Sequence, residues 1–242
     1  MMCAAVAGQR GRRVLLADHA DAPGKKILIS GGGRCNFTNL GIAPEKFLSR
    51  NPRFALSALK RYTQWDFIDR MASWGIPWHE KTLGQLFCDG SAKDLVAALL
   101  QDLQQAGGDL WLETAVDGVT RRGQDFAVAT SRGVLTAGKV VVATGGKSIP
   151  KMGATGIGYR IAESFGLPLV ETRPSLVPFT LSPPDLERLA PLAGTAVQGS
   201  ARHGRTAFDE AILFTHRGLS GPAILQISSF WLAGEKIHIN LL

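Results

Sequence analysis

A helix running straight into a short apolar strand that ends in an acid is the feature that most restricts the fold. Residues 1–11 are small and apolar and close on Gly11, the pattern of an amphipathic helix with a glycine stop. The run Arg13-Val14-Leu15-Leu16-Ala17-Asp18 then reads as a short buried strand whose last residue is Asp18. Helix, strand and terminal acid form the second half of a βαβ dinucleotide-binding unit. Its first half, a strand with a Gly-x-Gly-x-x-Gly turn, would precede Met1. The chain stops inside another strand-like run, Ile237–Leu242. Both ends therefore read as internal to a larger protein, with an unusual complete domain that begins on a helix as the minority alternative.

Charge points the same way. The net charge is +7, from 27 Lys+Arg and 20 Asp+Glu. Residues 1–60 hold ten cations and three acids, and residues 61–242 hold 17 of each, so the whole excess lies in the first quarter. An anionic partner fits that distribution: a phosphate-bearing cofactor, a nucleic acid or an acidic surface. No basic run has the length of a nucleic-acid tail, and glycine accompanies the charge, which favours a small phosphate ligand and leads to the expectation that nucleic acid is not a partner. The apolar share of 45% excludes a disordered chain, and no apolar run approaches a membrane span. Cys3, Cys35 and Cys88 are scattered and odd in number, which disfavours a disulfide framework or a zinc site and suits a reducing cytoplasm.

Along the chain, a turn at Ala22–Lys26 leads through Ile27-Leu28-Ile29 to the loop Ser30-Gly31-Gly32-Gly33-Arg34-Cys35-Asn36. Residues 52–74 read as one helix with Phe54, Leu56, Leu59, Trp65, Phe67, Ile68, Met71 and Trp74 as buried anchors. Ser91–Asp94 opens a helix to Gln105, closed by Gly107-Gly108. Strands are expected at 110–112, 115–121, 126–130 and 134–136. Lys139–Gly146 reads as a buried strand running into a glycine turn, and Gly156–Phe165 as a helix with Thr155 as its N-cap. From Arg173 the texture changes to clustered prolines between short β-like pieces, which places a domain boundary near residue 172.

Each candidate site residue has a structural alternative. Asp18 is placed to accept hydrogen bonds from ribose hydroxyls, or is a surface acid at a strand end. Ser30, Gly31, Gly32 and Gly33 let backbone N–H groups press against a phosphate or planar ring, flanked by Lys26, Arg34 and Asn36; alone, three glycines are a flexible loop. Ala143, Thr144, Gly145 and Gly146 would let the chain turn away beneath a cofactor, or are an ordinary strand and turn. Thr155, Gly156 and Gly158 open a helix whose N-terminus favours anions, or are a plain helix start. Cys35 is a redox thiol beside the loop only with a lowered pKa and a resolving partner, and otherwise a small buried structural cysteine. His79 and Glu80 are neighbours on a strand, point to opposite faces and do not act together. His216 lies in a loop that could face a cofactor, or is a turn-stabilising histidine, and Ser220 lacks the Gly-x-Ser-x-Gly context of a nucleophile.

The run Gly24–Asn39, with Ala143-Thr144-Gly145-Gly146 and Phe214–Pro222, resembles the BaiN-like family of bacterial NAD(P)/FAD-dependent oxidoreductases, some of them named as aminoacetone oxidase family flavoproteins. The resemblance implies an α/β Rossmann-like FAD-binding domain over residues 1–172, lacking its N-terminal strand and glycine turn, and the start of a mostly β insert domain over 173–242. It implies FAD as cofactor, with Val116 meeting adenine through its backbone, and NAD(P)H as a candidate electron donor. A small-molecule substrate is expected; its identity, the catalytic residues and the oligomeric state are not legible. Two other readings stay open, a fragment that does not hold FAD and a basic nucleic-acid-binding protein.

Overall fold

The computed structural model describes residues 1–149 and 153–241. The chain divides into two compact units, Met1–Leu169 and Val170–Leu242.

In the first unit, helix α1 (Met2–Gln9) is apolar over nearly its whole circumference rather than amphipathic, and Ala4 and Ala5 are buried. It ends where Gly11 takes a φ of 72°, and the chain reverses into strand β1 (Leu15–Ala17). Gly8 is required by a close approach: a Cβ there would lie 2.4 Å from the Ala106 carbonyl oxygen. That carbonyl closes helix α5 (Ala92–Gln105), whose start is fixed by a capping box. Ser91 accepts from Lys93 N at 3.2 Å, and Asp94 accepts from Ser91 N at 3.1 Å. One face of α5 buries Leu95, Leu99 and Leu103. Strand β5 (Asp109–Trp111) follows and pairs in parallel with β1, Leu15 opposite Asp109 and Ala17 opposite Trp111. The parallel pair and its covering helices are the Rossmann-like element that the sequence implies.

Between α1 and α5 lie helix α2 (Lys25–Ile29), strand β2 (Asn36–Asn39), helices α3 (Leu56–Arg61) and α4 (Gln64–Ser73), and strands β3 (Trp78–Glu80) and β4 (Gln85–Cys88). The three strands form an antiparallel sheet in the order β2-β4-β3. The single helix expected over 52–74 is two. Thr63 caps α4, accepting from Asp66 N at 3.3 Å while Asp66 accepts from Thr63 N at 2.6 Å, and a cap requires extended backbone that ends α3. Met71 is fully buried, but Phe54 is 79% and Trp65 56% exposed, so two of the expected anchors face solvent.

Strands β6 (Val116–Arg122), β7 (Asp125–Thr130) and β8 (Gly133–Ala137) form the expected meander, and helix α6 (Ile157–Ser164) packs Ile157 and Ile161 against Val119. Lys139–Gly146 departs from expectation. It forms no strand, and Val141 and Val142 are exposed. A strand exists through its ladder partner, and among the described residues nothing pairs with this segment.

The second unit holds strands β9 (Phe179–Thr180), β10 (Ala196–His203), β11 (Thr206–Thr215), β12 (Gly218–Ser220) and β13 (His238–Asn240). They form one antiparallel sheet in the order β13-β10-β11-β12-β9. Helices α7 (Pro183–Leu189) and α8 (Pro222–Ile227) complete it, and α8 buries Ala223, Ile224 and Ile227 with Ala201, Ile212 and Phe214 of the sheet. The unit is mostly β. Leu242, the last residue of the strand-like run, lies outside the described residues.

Candidate cofactor site

Asp18 follows directly on β1, with its side chain 38% exposed. Its carboxylate accepts from Ala20 N at 3.0 Å and lies 3.6 Å from His19 Nδ1. Its backbone joins the segment that leads to Val116: Thr114 N donates to Asp18 O at 2.9 Å, and Glu113 N to Ala20 O at 2.9 Å. Asp18 and Val116, far apart in sequence, are therefore held at the same end of the parallel pair. A cavity of about 530 Å³ opens there, lined by His19, Asp21, Lys25, Glu113, Ala115 and Gly153 among others.

The glycine loop is a chain of left-handed residues. Gly31, Gly32 and Gly33 have φ values of 58°, 67° and 89°, and Cys35 follows at 49°. Only glycine adopts three such residues in a row without strain. Gly31 is pinned from one side, since a Cβ there would lie 2.6 Å from the Phe87 ring and 2.9 Å from Asn36 N. Gly32 meets nothing within 4 Å, so its backbone stays open to an approaching ligand. Cys35 N donates to Ser30 O at 2.9 Å and closes the loop. Arg34 is exposed beside it. With its amide turned to donate, Asn36 reaches Thr38 O at 3.0 Å and Leu86 O at 3.2 Å, a bond set that holds β2.

Lys26, the last cation of α2, donates to Ser148 Oγ at 2.6 Å. That bond ties the segment just after Gly146 to helix α2, which leads into the glycine loop. A Cβ on Gly158 would lie 2.6 Å from Thr144 Oγ1 and 3.3 Å from Val142 Cγ1, so residues 142–144 rest directly on the first turn of α6. Gly145 turns the chain at a φ of 72°. The N-cap of α6 is Gly156, at a φ of 68°, and not Thr155. The Thr155 side chain makes no cap bond because the left-handed glycine already sets the entry angle, and its carbonyl instead accepts from Arg160 at 2.9 Å. A Cβ on Gly153 would fall 2.3 Å from His19 Nε2, which ties this segment back to the Asp18 end.

Sequence reasoning proposes the three groups but not the links between them. Ser148 and His19 make them, and Ser148 carried a readable signal as a small hydroxyl directly after Gly145-Gly146-Lys147. The donor set suits a phosphate-bearing dinucleotide. It offers an acceptor for ribose, an uncovered left-handed backbone with two flanking cations for diphosphate, and glycines where chain and ligand would pass closely. FAD is such a group, and these residues fit it.

Nothing here favours a redox thiol. Burial pushes the Cys35 thiol up and the Cys88 thiol to about 11, so both stay protonated near neutrality. The reading of His79 changes in one respect: its partner is Asp89, with Nδ1 2.6 Å from the carboxylate, and its ring stacks on Phe87, the residue beneath Gly31.

Comparison with known proteins sets these parts in a family. The profile of the HI0933-like protein Rossmann domain matches residues 1–233. The chain belongs to that family. A member called ribosomal RNA dihydrouridine synthase, from Escherichia coli strain K12, is 54% identical over 244 residues, covering 100% of this chain and 61% of that protein. Its namesake from Haemophilus influenzae is 44% identical over 248 residues, again covering 100% and 61%. A 3-dehydro-bile acid delta(4,6)-reductase from Clostridium scindens is 27% identical over 93% of this chain and 56% of its own length. The chain thus spans about three fifths of the relatives it matches. The open form of NikD, an unusual amino acid oxidase, overlays with a TM-score of 0.35 and 17% identity over 60% of this chain and 48% of its own, a likeness that carries no argument.

The family corrects one expectation. The sequence led to the exclusion of nucleic acid as a partner, yet the relatives at 54% and 44% identity are named for action on ribosomal RNA. The exclusion rested on the lack of a basic tail, and a folded surface needs none.

Proposed function

We propose that the protein bearing this chain is an FAD-dependent oxidoreductase that reduces a uridine of ribosomal RNA to dihydrouridine. The observation that carries the reading is 54% identity over the whole chain to a protein of that name. The more distant relative supports the reaction class: a reductase of a 3-oxo delta(4,6) steroid and a dihydrouridine synthase both hydrogenate a carbon–carbon double bond conjugated to a carbonyl. In uridine the bond is C5=C6. C6 is the electron-poor carbon, so it receives hydride, and C5 receives a proton. With NAD(P)H as donor the balance is uridine + NAD(P)H + H⁺ giving dihydrouridine + NAD(P)⁺.

Bound FAD supplies the two-electron chemistry, and this chain supplies its seat. Residues 1–172 are its domain and 173–242 begin the insert domain. Asp18 accepts from ribose, and the Val116 backbone borders adenine. Lys26, Arg34 and Ser30–Gly33 receive diphosphate or the ring edge, with Asn36 bracing the loop. Ala143, Thr144, Gly145, Gly146, Thr155, Gly156 and Gly158 would let chain and cofactor pass closely. The site lies in the cytoplasm, where ribosomal RNA is, and no described helix is long and apolar enough to cross a membrane.

Disruption of the gene tests the proposal. Nucleoside mass spectrometry of ribosomal RNA from the disrupted strain should show loss of dihydrouridine, restored by the gene in trans. Unchanged dihydrouridine in that RNA would overturn the reading.

A further inference from the structure

Residues 46–65 are the most one-sided stretch of the chain. Between Glu45 and Asp66 stand Lys46, Arg50, Arg53, Lys60 and Arg61, with no acid among them. All five are exposed, and among the described residues none pairs with a carboxylate. Exposed aromatic rings alternate with them: Phe47, Phe54, Tyr62 and Trp65. A single exposed ring is ordinary. Four of them interleaved with five unpaired cations are not scatter.

The local structure explains why these groups face outward. Residues 47–55 are a loop held by its own polar bonds. Ser49 Oγ donates to Asn51 O at 2.7 Å, and Asn51 Oδ1 accepts from Arg53 N at 3.1 Å. Phe54 follows, outside any core. Helix α3 half-buries Leu56 and Leu59 and turns Lys60 and Arg61 to solvent. The Thr63 cap starts α4 so that Met71 enters the core and Phe67 packs against it, while Trp65 faces away.

We infer that this surface docks single-stranded RNA. The inference rests on the ribosomal RNA reading above and names where on this chain the substrate is held. Cations neutralise phosphates, and exposed rings stack on unpaired bases; together they are what a single-strand surface requires. The chemistry adds a reason, because C5=C6 of a uridine within a duplex is stacked, and the target base has to be unpaired for a reductase to reach it. A protein partner would leave the five-cation excess unexplained unless it were strongly acidic. An anionic membrane shares the charge argument but offers no bases to the rings.

The test uses the protein expressed from its native gene and a labelled single-stranded RNA with a uridine, alongside the same RNA as a duplex. Binding is followed by anisotropy across a salt series. The variant with Arg50→Gln, Arg53→Gln, Lys60→Gln and Arg61→Gln should flatten the slope of log K against log salt by about 3, from about 0.7 per phosphate contact. Phe54→Ala and Trp65→Ala should each weaken single-strand binding about tenfold and leave duplex binding almost unchanged. All these side chains are exposed, and thermal melting and flavin absorbance confirm that the variants fold. If the wild-type protein binds neither RNA, the ribosomal RNA reading fails and this inference with it. If it binds, yet the variants keep its affinity and slope, the inference alone is overturned. Loss of binding to phosphatidylserine vesicles in the variants, with RNA binding intact, overturns it as well.

Discussion

Replacing Gly31 and Gly32 by alanine, one at a time, separates what the loop does for the fold from what it does for the cofactor. Both residues are left-handed, at φ 58° and 67°. An L-residue there costs about 1–2 kcal/mol. At Gly32 that is the whole cost, because the new methyl meets nothing within 4 Å. At Gly31 the methyl lands 2.6 Å from the Phe87 ring and 2.9 Å from Asn36 N. Phe87 is buried under the stacked His79, and a backbone amide in a paired strand does not retreat. Overpacking of this kind adds about 1–3 kcal/mol. For a chain of this size each kcal/mol lowers the melting temperature by roughly 2–4 °C. Gly31→Ala should therefore lower it about twice as far as Gly32→Ala. Flavin affinity should behave differently: if the open face of the loop receives FAD, the Gly32 methyl stands in the ligand's path, and both variants bind FAD at least tenfold more weakly. Melting curves and a flavin titration on the protein from its native gene give both answers. Unchanged FAD affinity in Gly32→Ala would refute the placement of the cofactor over this loop.

Three further outcomes follow from the same geometry. Asp18→Ala removes a partly exposed acceptor, so it should change stability little but weaken FAD about tenfold or more, since a hydrogen bond to a charged group is worth roughly 1.5–3 kcal/mol; an unchanged titration would leave Asp18 as a turn acid for Ala20. Neutralising Lys26 and Arg34 together should weaken FAD while leaving the salt slope of RNA binding unchanged, because the RNA surface lies at 46–65; a flattened RNA slope with normal FAD binding would reverse those assignments. The Cys88 thiol, raised by burial to about 11 in the folded protein, binds its proton more tightly than in the unfolded chain. Its contribution is therefore fully present below the ordinary thiol value of about 9 and is lost as pH rises from there through about 11. Melting of the wild type should fall across that window and fall less in Cys88→Ala, and parallel curves would refute it.

Much of the fold was legible because its signals are local. The Ser91-x-x-Asp94 cap and the apolar spacing of α5 set that helix, and alternation with turn residues set β6–β8. The same kind of signal stood at Thr63-x-x-Asp66, where a cap divides α3 from α4, but the apolar spacing of 52–74 outweighed it. Phe54 and Trp65 misled for a related reason: aromatic residues are counted as core by type, and their exposure depends on which helix face the cap selects. Lys139–Gly146 was misread because valine content signals a strand, while a strand exists only with a neighbour to bond to. The candidate residues were proposed from a strand-end acid, glycine pattern and charge, and Val116 from the family resemblance. Their assembly was not, because Lys26 to Ser148 and Gly153 to His19 are contacts between distant segments that no local pattern encodes. The expectation that nucleic acid is not a partner is overturned by the relatives named for ribosomal RNA, a relation that charge pattern along the chain does not carry.

Reduction of a ribosomal RNA uridine can be followed with purified components. The protein from its native gene, loaded with FAD and given NAD(P)H, is incubated with ribosomal RNA from the gene-disrupted strain, and the nuclease fragments are weighed by mass spectrometry. One uridine-containing fragment should gain the mass of two hydrogens, and the gain should disappear without NAD(P)H. NAD(P)H consumption with every RNA fragment unchanged in mass would contradict it.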